Sequence, residues 1–404
     1  NSQQRKKPDW DKPLTGFFYT GTSKDRILHF VHRGRDQAHI LALTKLCKTF
    51  PDHPDWMKWY SAVTLYAEYL KNIAKYTSPY NVMPASIYND SEYLHVPESR
   101  REPFRKQVLA GILLGKGNYL RLFPVWMDYR GHFGTILPQA QSLISAALLR
   151  NDLASAELSG QQPEWIIGRN PFAESMMYGE GYDFPPLYSP SSGDMAGALP
   201  VGIQTKEEKD IPYWPVQNMW TYKEVWVHPV ARWIWLMKDL AGPALVEGLS
   251  TSKVKFKEAA TGEETTVEPD PVSGQFRAML PQGKYRVLYN GEEQLKTFLP
   301  TATYRLDLRA GHAFDFEISK VNTGKGKLTI RVIARGNGIH HFSIRTDNLK
   351  PNSSSRELIL KPGQSGKLEW PVVIDSPDIP WVAVLIPDDD LSARKEITGS
   401  AWEQ

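Results

Sequence analysis

Apolar positions along the chain follow two different periods. Between residues 36 and 242 they recur at three- and four-residue spacing, the period of a helix with a buried face. Asp36–Phe50, with Ile40, Leu41, Ala42, Leu43, Leu46 and Cys47, is apolar on nearly every side and predicts a helix buried all round. Pro54 suits a first helical turn, and Met57, Tyr60, Val63, Ala67, Leu70 and Ala74 extend a second helix. Ser99 with Pro103 predicts a third, and Leu137–Leu149 a fourth. Asp152 caps a fifth, which Pro163 kinks or ends before Trp165. A sixth begins near Pro229 and runs through Trp233, Met237 and Leu240. Between the last two lie about fifty residues rich in Gly, Pro and Tyr, and so long a loop in a compact domain usually carries function.

After Gly242 and Pro243 the period falls to two. Val254–Glu258, Gln275–Leu280 and Lys284–Tyr289 alternate, with a turn at Leu280–Gly283. A second strand-rich segment starts near Tyr304, with strands at His312–Ser319, Lys327–Ala334, His341–Arg345, Arg356–Leu360, Lys367–Ile374 and Trp381–Ile386. Regular spacing with Gly, Pro, Asn and Asp turns predicts sandwich domains. Six helices are few for a closed ring, so the helical part reads as half of a larger barrel.

Composition narrows the function. A net charge of +3, from 48 Lys+Arg against 45 Asp+Glu, argues against nucleic acid as a partner. Cys47 is the only cysteine, which excludes disulfide frameworks and cysteine-ligated zinc; it reads as inert core. No apolar run reaches the length of a membrane span. The chain begins Asn1-Ser2-Gln3, as a processed or partial product would. His32, Arg33, Arg35 and His39 form a polar cluster that reads as charge pairing with Asp36 rather than a metal site. No cofactor is expected.

Of 13 tryptophans, ten precede residue 243. Trp56, Trp233 and Trp235 fit a helical core, whereas Trp214 and Trp220 fall in the long loop and stay near solvent. Trp165–Trp226 thus sets carboxyl groups among indole and phenol rings. Such rings stack on pyranose faces, and their apolar bodies raise a carboxyl's pKa until it donates a proton near neutrality, which is the chemistry of sugar cleavage.

The residues that carry a family likeness are Asp128-Tyr129-Arg130-Gly131-His132-Phe133-Gly134, then Gly168-Arg169-Asn170-Pro171-Phe172, Ser175-Met176-Met177-Tyr178-Gly179-Glu180-Gly181, and Trp220-Thr221-Tyr222-Lys223-Glu224-Val225-Trp226. Over roughly residues 17–242 the chain resembles glycoside hydrolase family 9, in its divergent bacterial branch. The resemblance implies an (α/α)6 toroid-type helical domain, here incomplete, and hydrolysis of β-linked or related saccharides with inversion. It implies that Glu224, just before the last barrel helix, is the general acid. The family's Asp-Ala-Gly-Asp base motif and its His-x-Arg motif are absent, and Pro215 stands where an Asp is expected. The base therefore falls in an upstream barrel half, on another chain or a missing segment.

Downstream, Ala259-Ala260-Thr261-Gly262-Glu263, Gly274-Gln275-Phe276 and Leu280–Arg286 resemble a prealbumin-like, carboxypeptidase-regulatory domain. The expected organisation is multidomain: a helical domain over 1–245, a β domain over 246–301 and a β-sandwich over 302–404. Tyr178, Tyr182, Trp214, Trp220 and Tyr222 are expected to line subsites. Glu180 and Asp183 touch sugar hydroxyls or simply shape the turn. Arg130 and His132 bind hydroxyls or a carboxylate, or form a salt bridge; Asn170 is expected to fix backbone. The expected partner is a carbohydrate and the expected location is secreted, periplasmic or on a bacterial cell surface. Two rivals stand beside hydrolysis: a polysaccharide lyase using Tyr129, Arg130, His132 or His228, and a carbohydrate-binding pseudo-enzyme.

Overall fold

A computed structural model describes residues 2–29, 38–125, 131–188, 195–217, 220–309, 314–324, 326–362 and 364–402. Among them are α1 (Ala38–Thr49), α2 (Trp56–Ala74), α3 (Glu98–Leu109), α4 (Phe133–Arg150), α5 (Leu153–Ile166), the single turn α6 (Trp220–Lys223) and α7 (Val227–Leu240). The chain divides into two compact units. One comprises Asn1–Ala42, Leu65–Ala146 and Ala154–Lys238; the other comprises Leu43–Thr64, Ala147–Leu153 and Asp239–Gln404.

In the first unit α4 is the central element, with Phe133, Ile136, Leu137, Ala140, Leu143 and Ile144 all fully buried. These fall at helical spacing, and the polar Gln139, Gln141 and Ser142 are buried as well, so the helix is covered on every side. Pro163 does not end α5, which continues through Trp165 and Ile166. An ordinary helical bond closes the last turn, Ile167 N–H to Pro163 O (3.1 Å), and one tertiary bond holds it, Met176 N–H to Ile166 O (2.9 Å). The buried Gln162 side chain ties the helix to the 81–83 loop, donating to Asn81 O at 3.0 Å and accepting from Met83 N–H at 2.9 Å.

Three short strands escape the sequence pattern. β1 (Ser86–Asn89), β2 (Ile112–Gly115) and β3 (Asn118–Arg121) form an antiparallel sheet in the order β1-β3-β2. Four residues are too few to show a period of two. Across its edge Arg121, fully buried, donates to Gln107 O at 2.6 Å and pairs with Asp210 at 3.3 Å. A further hairpin joins β4 (Gln204–Thr205) and β5 (Pro212–Tyr213).

The second unit is mostly sheet. β6 (Ala244–Leu249), β7 (Val254–Glu258), β8 (Glu264–Val267), β9 (Gln275–Leu280), β10 (Gly283–Tyr289), β11 (Glu292–Phe298) and β12 (Thr303–Asp307) make two sheets, β11-β10-β7-β8 and β12-β6-β9. Val246, Phe256, Phe276, Val287 and Phe298 fill the core they share. β13 (Asp315–Gly324), β14 (Lys327–Arg335), β15 (Gly338–Asp347), β16 (Leu349–Pro351), β17 (Ser355–Leu360), β18 (Ser365–Ile374), β19 (Trp381–Pro387) and β20 (Lys395–Gly399) follow. They form two four-stranded sheets, β13-β14-β18-β16 and β17-β15-β19-β20, around Ile330, Phe342, Trp370 and Trp381. The arrangement is sandwich-like. The strand expected from His312 begins at Asp315, and residues 310–313 lie outside those described.

Cys47 is buried, and desolvation pushes its thiol up to about 12, so it is inert core. Trp56 is buried as core, but Trp235 is exposed on α7, contrary to expectation. Of the 32–39 cluster, only His39 is described; it packs edge-on against Phe18 and Tyr66, and burial lowers it to about 4. Among the described residues, no helix is long and apolar enough to cross a membrane.

Candidate functional site

The 168–188 loop is built around one amide. Asn170, buried, donates to Trp165 O and Glu174 O (both 2.8 Å) and accepts from Phe172 N–H at 3.1 Å. An Asx turn of this kind fixes backbone without a helix or strand. Ser175 N–H then donates to Asp183 O (2.8 Å), closing a tight ring of residues 175–183. Gly181 at φ 82° faces Ser175, where an added Cβ would come within 3.2 Å of the serine Cβ; glycine is needed there for both reasons.

Glu224 sits on a short extended ribbon. Tyr188 N–H donates to Lys223 O (2.9 Å), Val225 N–H to Tyr188 O (3.3 Å) and Val201 N–H to Glu224 O (2.9 Å). Bridges at Tyr188–Glu224 and Pro200–Val225 hold the ribbon on both sides. The Glu224 side chain is half-buried, and its carboxylate accepts the Trp226 indole N–H at 2.5 Å. The aromatic shell expected around it is only partly present. Trp220 is 53% exposed, and the Tyr222 side chain lies outside the described residues.

The other expected residues scatter. Tyr182 is fully exposed, and Glu180 is exposed beside it. Tyr178 is half-buried, its ring edge-on to Phe184 with centroids 5.2 Å apart. Trp214 is not a solvent-facing loop residue: it follows β5 and is only 7% exposed. Arg130, with Asp128 and Tyr129, lies outside the described residues.

His132 does not face a groove. It is fully buried, bonded through Nε2 to Met83 O at 2.8 Å and set edge-on to Phe123 and Trp165. The cause is local: His132 N–H donates to Ile203 O (3.0 Å) and Phe133 N–H to Val201 O (3.3 Å), drawing the residue under the 201–203 segment. Desolvation pushes its pKa from 6.5 down to about 3. The folded state therefore binds fewer protons than the unfolded chain between those values, and stability falls as pH drops below 6.5. At about 1.4 kcal/mol per pKa unit, His132 removes on the order of 2–3 kcal/mol between pH 6.5 and 4.5. Urea melts at the two pH values are expected to show this loss shrinking by that amount in His132→Gln.

Two residues outside the sequence reading meet at this site. Burial pushes the Glu174 carboxyl up, with the Lys223 charge and the Trp214 N–H pulling it down and Asp183 pushing it further up. Lys223, fully buried, is lowered by desolvation and sustained by Glu174. Thus the loop, the strand end at Trp214 and the turn before Glu224 bring Glu174, Asp183, Trp214 and Lys223 together. The sequence signal was a lone Lys in the aromatic Trp220–Trp226 segment, and a Glu at the close of the Asn170 turn. Among the described residues, no cluster of three or more His, Cys, Asp or Glu suits a metal ion.

No family model matches the chain, and comparison with curated proteins finds no match. Among solved structures the chain is similar to a DUF3823 family protein from Bacteroides ovatus. Identity is 13%, over 39% of this chain and 99% of that one, with a TM-score of 0.15. A proposed carbohydrate-binding protein from Bacteroides uniformis is similar at 10% identity, over 39% and 97% of the two chains, with the same TM-score of 0.15. Endoglucanase CelQ from Clostridium thermocellum, complexed with cellobiose and cellotriose, is similar at 12% identity and a TM-score of 0.25; the match covers 85% of this chain and 59% of the endoglucanase.

Proposed function

We propose that this chain is part of an exported bacterial glycoside hydrolase that cleaves a polysaccharide or oligosaccharide with inversion. Its helices belong to an (α/α)6 toroid-type domain, followed by a β domain over 246–301 and a sandwich over 302–404. Glu224 hands a proton to the departing sugar oxygen, and a base from the upstream barrel half activates water on the opposite face. Tyr178, Glu180, Tyr182, Asp183 and Trp220, all with open surface, line the saccharide path.

The observation that supports this reading is the seat of Glu224. Main-chain bonds on both sides fix its backbone, its carboxylate is anchored by an indole, and it remains half open to solvent. A positioned carboxyl with one open face is what general acid catalysis needs. Saccharide binding without cleavage is the second reading, favoured by the missing Asp-Ala-Gly-Asp string. The lyase reading loses one base, because His132 has no solvent-facing surface.

Incubation with a panel of β-glucans and uronate-containing polysaccharides, followed by proton NMR of the released anomers, separates the three. Inverted reducing ends are expected. An unsaturated product absorbing in the near ultraviolet selects the lyase, and calorimetric binding with no product selects the binding protein.

A further inference from the structure

Strands β6–β12 carry a groove that the proposed reaction does not use. It measures about 1060 Å³ and is lined by one end of the β12-β6-β9 sheet and by residues 267–271. That segment is a preformed wall. Pro269 and Pro271 restrict the backbone on either side of Asp270. The Asp270 carboxylate accepts Val272 N–H (3.0 Å), Ser273 N–H (2.7 Å) and the Ser273 hydroxyl (2.9 Å). Asp270 N–H donates to Gln275 O at 2.8 Å, tying the wall to β9. A wall already fixed leaves little to order when a ligand binds.

Strand register sets the charges. Arg305, Glu247 and Arg277 stand opposite one another on neighbouring strands, so two guanidinium groups flank one carboxylate on backbones spanning about 10 Å. Arg305 engages Glu247 through Nε alone, at 3.2 Å. The other acids of the groove are already matched: Glu268 by Lys253 at 2.6 Å, Asp307 by Arg309 at 2.6 Å, and Asp270 by its own turn. Arg277 is exposed, and its guanidinium makes no hydrogen bond or ion pair with any described residue.

An open guanidinium fork takes an oxyanion through two parallel bonds. Glu247 beside it disfavours a doubly charged phosphate or sulfate. Its free carboxylate oxygen, and Gln275 two residues before Arg277 on the same face, offer acceptors to hydroxyls. One carboxylate set among hydroxyls meets all of these. We propose that the groove is a saccharide site of these sheets, binding an acidic oligosaccharide with a uronate carboxylate on Arg277 and hydroxyls on Glu247 and Gln275. The saccharide rests on the reading above; the carboxylate rests on Arg277.

Calorimetry on the whole chain, with tri-galacturonate and the neutral cellotriose, tests the charge. Tri-galacturonate is expected to bind, and Arg277→Ala to weaken it about tenfold, as a charge-assisted bond implies. Arg277 is exposed and unpaired, so the melting temperature is expected to hold. Arg286→Ala removes an exposed charge from β10, outside the groove, and is expected to leave binding alone. Any cellotriose binding is expected to be insensitive to Arg277→Ala. Equal losses in the two arginine variants would mean diffuse attraction and overturn the site. Sulfate competing as well as tri-galacturonate would overturn it too.

Hydrogen exchange on the wild-type chain reads the place without any variant. Tri-galacturonate is expected to slow exchange several-fold within 267–277. Saccharides that bind or are cleaved without protecting 267–277 overturn the groove and leave the function above standing. Protection by tri-galacturonate with no panel glycan cleaved keeps the groove and removes the hydrolase. If no saccharide binds at all, both fall.

Discussion

Exchanging Glu224 for Gln is expected to cut saccharide turnover by about 10²–10⁴-fold, the usual worth of a positioned general acid. Affinity is expected to stay near wild type. Gln matches Glu in size, and its amide oxygen can still accept the Trp226 N–H that anchors Glu224 at 2.5 Å. The ribbon from Lys223 to Trp226 is held by main-chain bonds to Tyr188, Leu199 and Val201, which the substitution leaves alone. What disappears is the transferable proton. A kcat loss with unchanged KM and melting temperature therefore reports chemistry rather than folding. Wild-type turnover in the variant removes Glu224 from the reaction and leaves its carboxylate as a structural acceptor for the indole.

Where burial follows the local period, the fold was legible. Gln275–Leu280 alternates exposed and buried residue by residue, and α2 and α4 carry their apolar positions at helical spacing. β1 to β3 were not legible, because their pairing comes from other segments rather than from four residues of pattern. Pro163 misled for the same reason: the bond from Met176 N–H and the burial of Trp165 and Ile166 sustain the last turn of α5 against an unfavourable residue.

The site divides similarly. The place of Glu224 before a helix could be read from the sequence, and α7 begins at Val227. Lys223 could not. On an extended backbone it would point away from its neighbour, but it ends the turn α6, where side chains rotate around the axis, and it turns into the interior. Glu174 gains its character from Asp183, Trp214 and Lys223, residues that only the folded loop brings near. The motif names these segments but not their inward faces.

Replacing Asp210 with Ala is expected to destabilise the first unit by about 3–5 kcal/mol, the cost of leaving one half of a buried ion pair behind. Arg121 is fully buried, and its neighbour Asp210 has a side chain only 8% exposed. The Asp210 carboxylate also accepts the Leu122 and Phe123 N–H groups at 2.8 and 2.9 Å. Alanine thus strands a guanidinium and two backbone donors together. Desolvation pushes the Asp210 carboxyl up and the Arg121 guanidinium down, each against the attraction of its partner. The pair is therefore costly to bury and costlier to break. Replacing both residues, as in Arg121→Met with Asp210→Leu, is expected to recover much of the loss, because no charge is left unmatched. Denaturant midpoints measure the three variants, and hydrogen exchange at Leu122 and Phe123 localises the effect. An Asp210→Ala loss below about 1 kcal/mol would put the pair among solvated surface contacts. A double variant as unstable as the single one would show that the lost backbone acceptors, not the unpaired charge, set the cost.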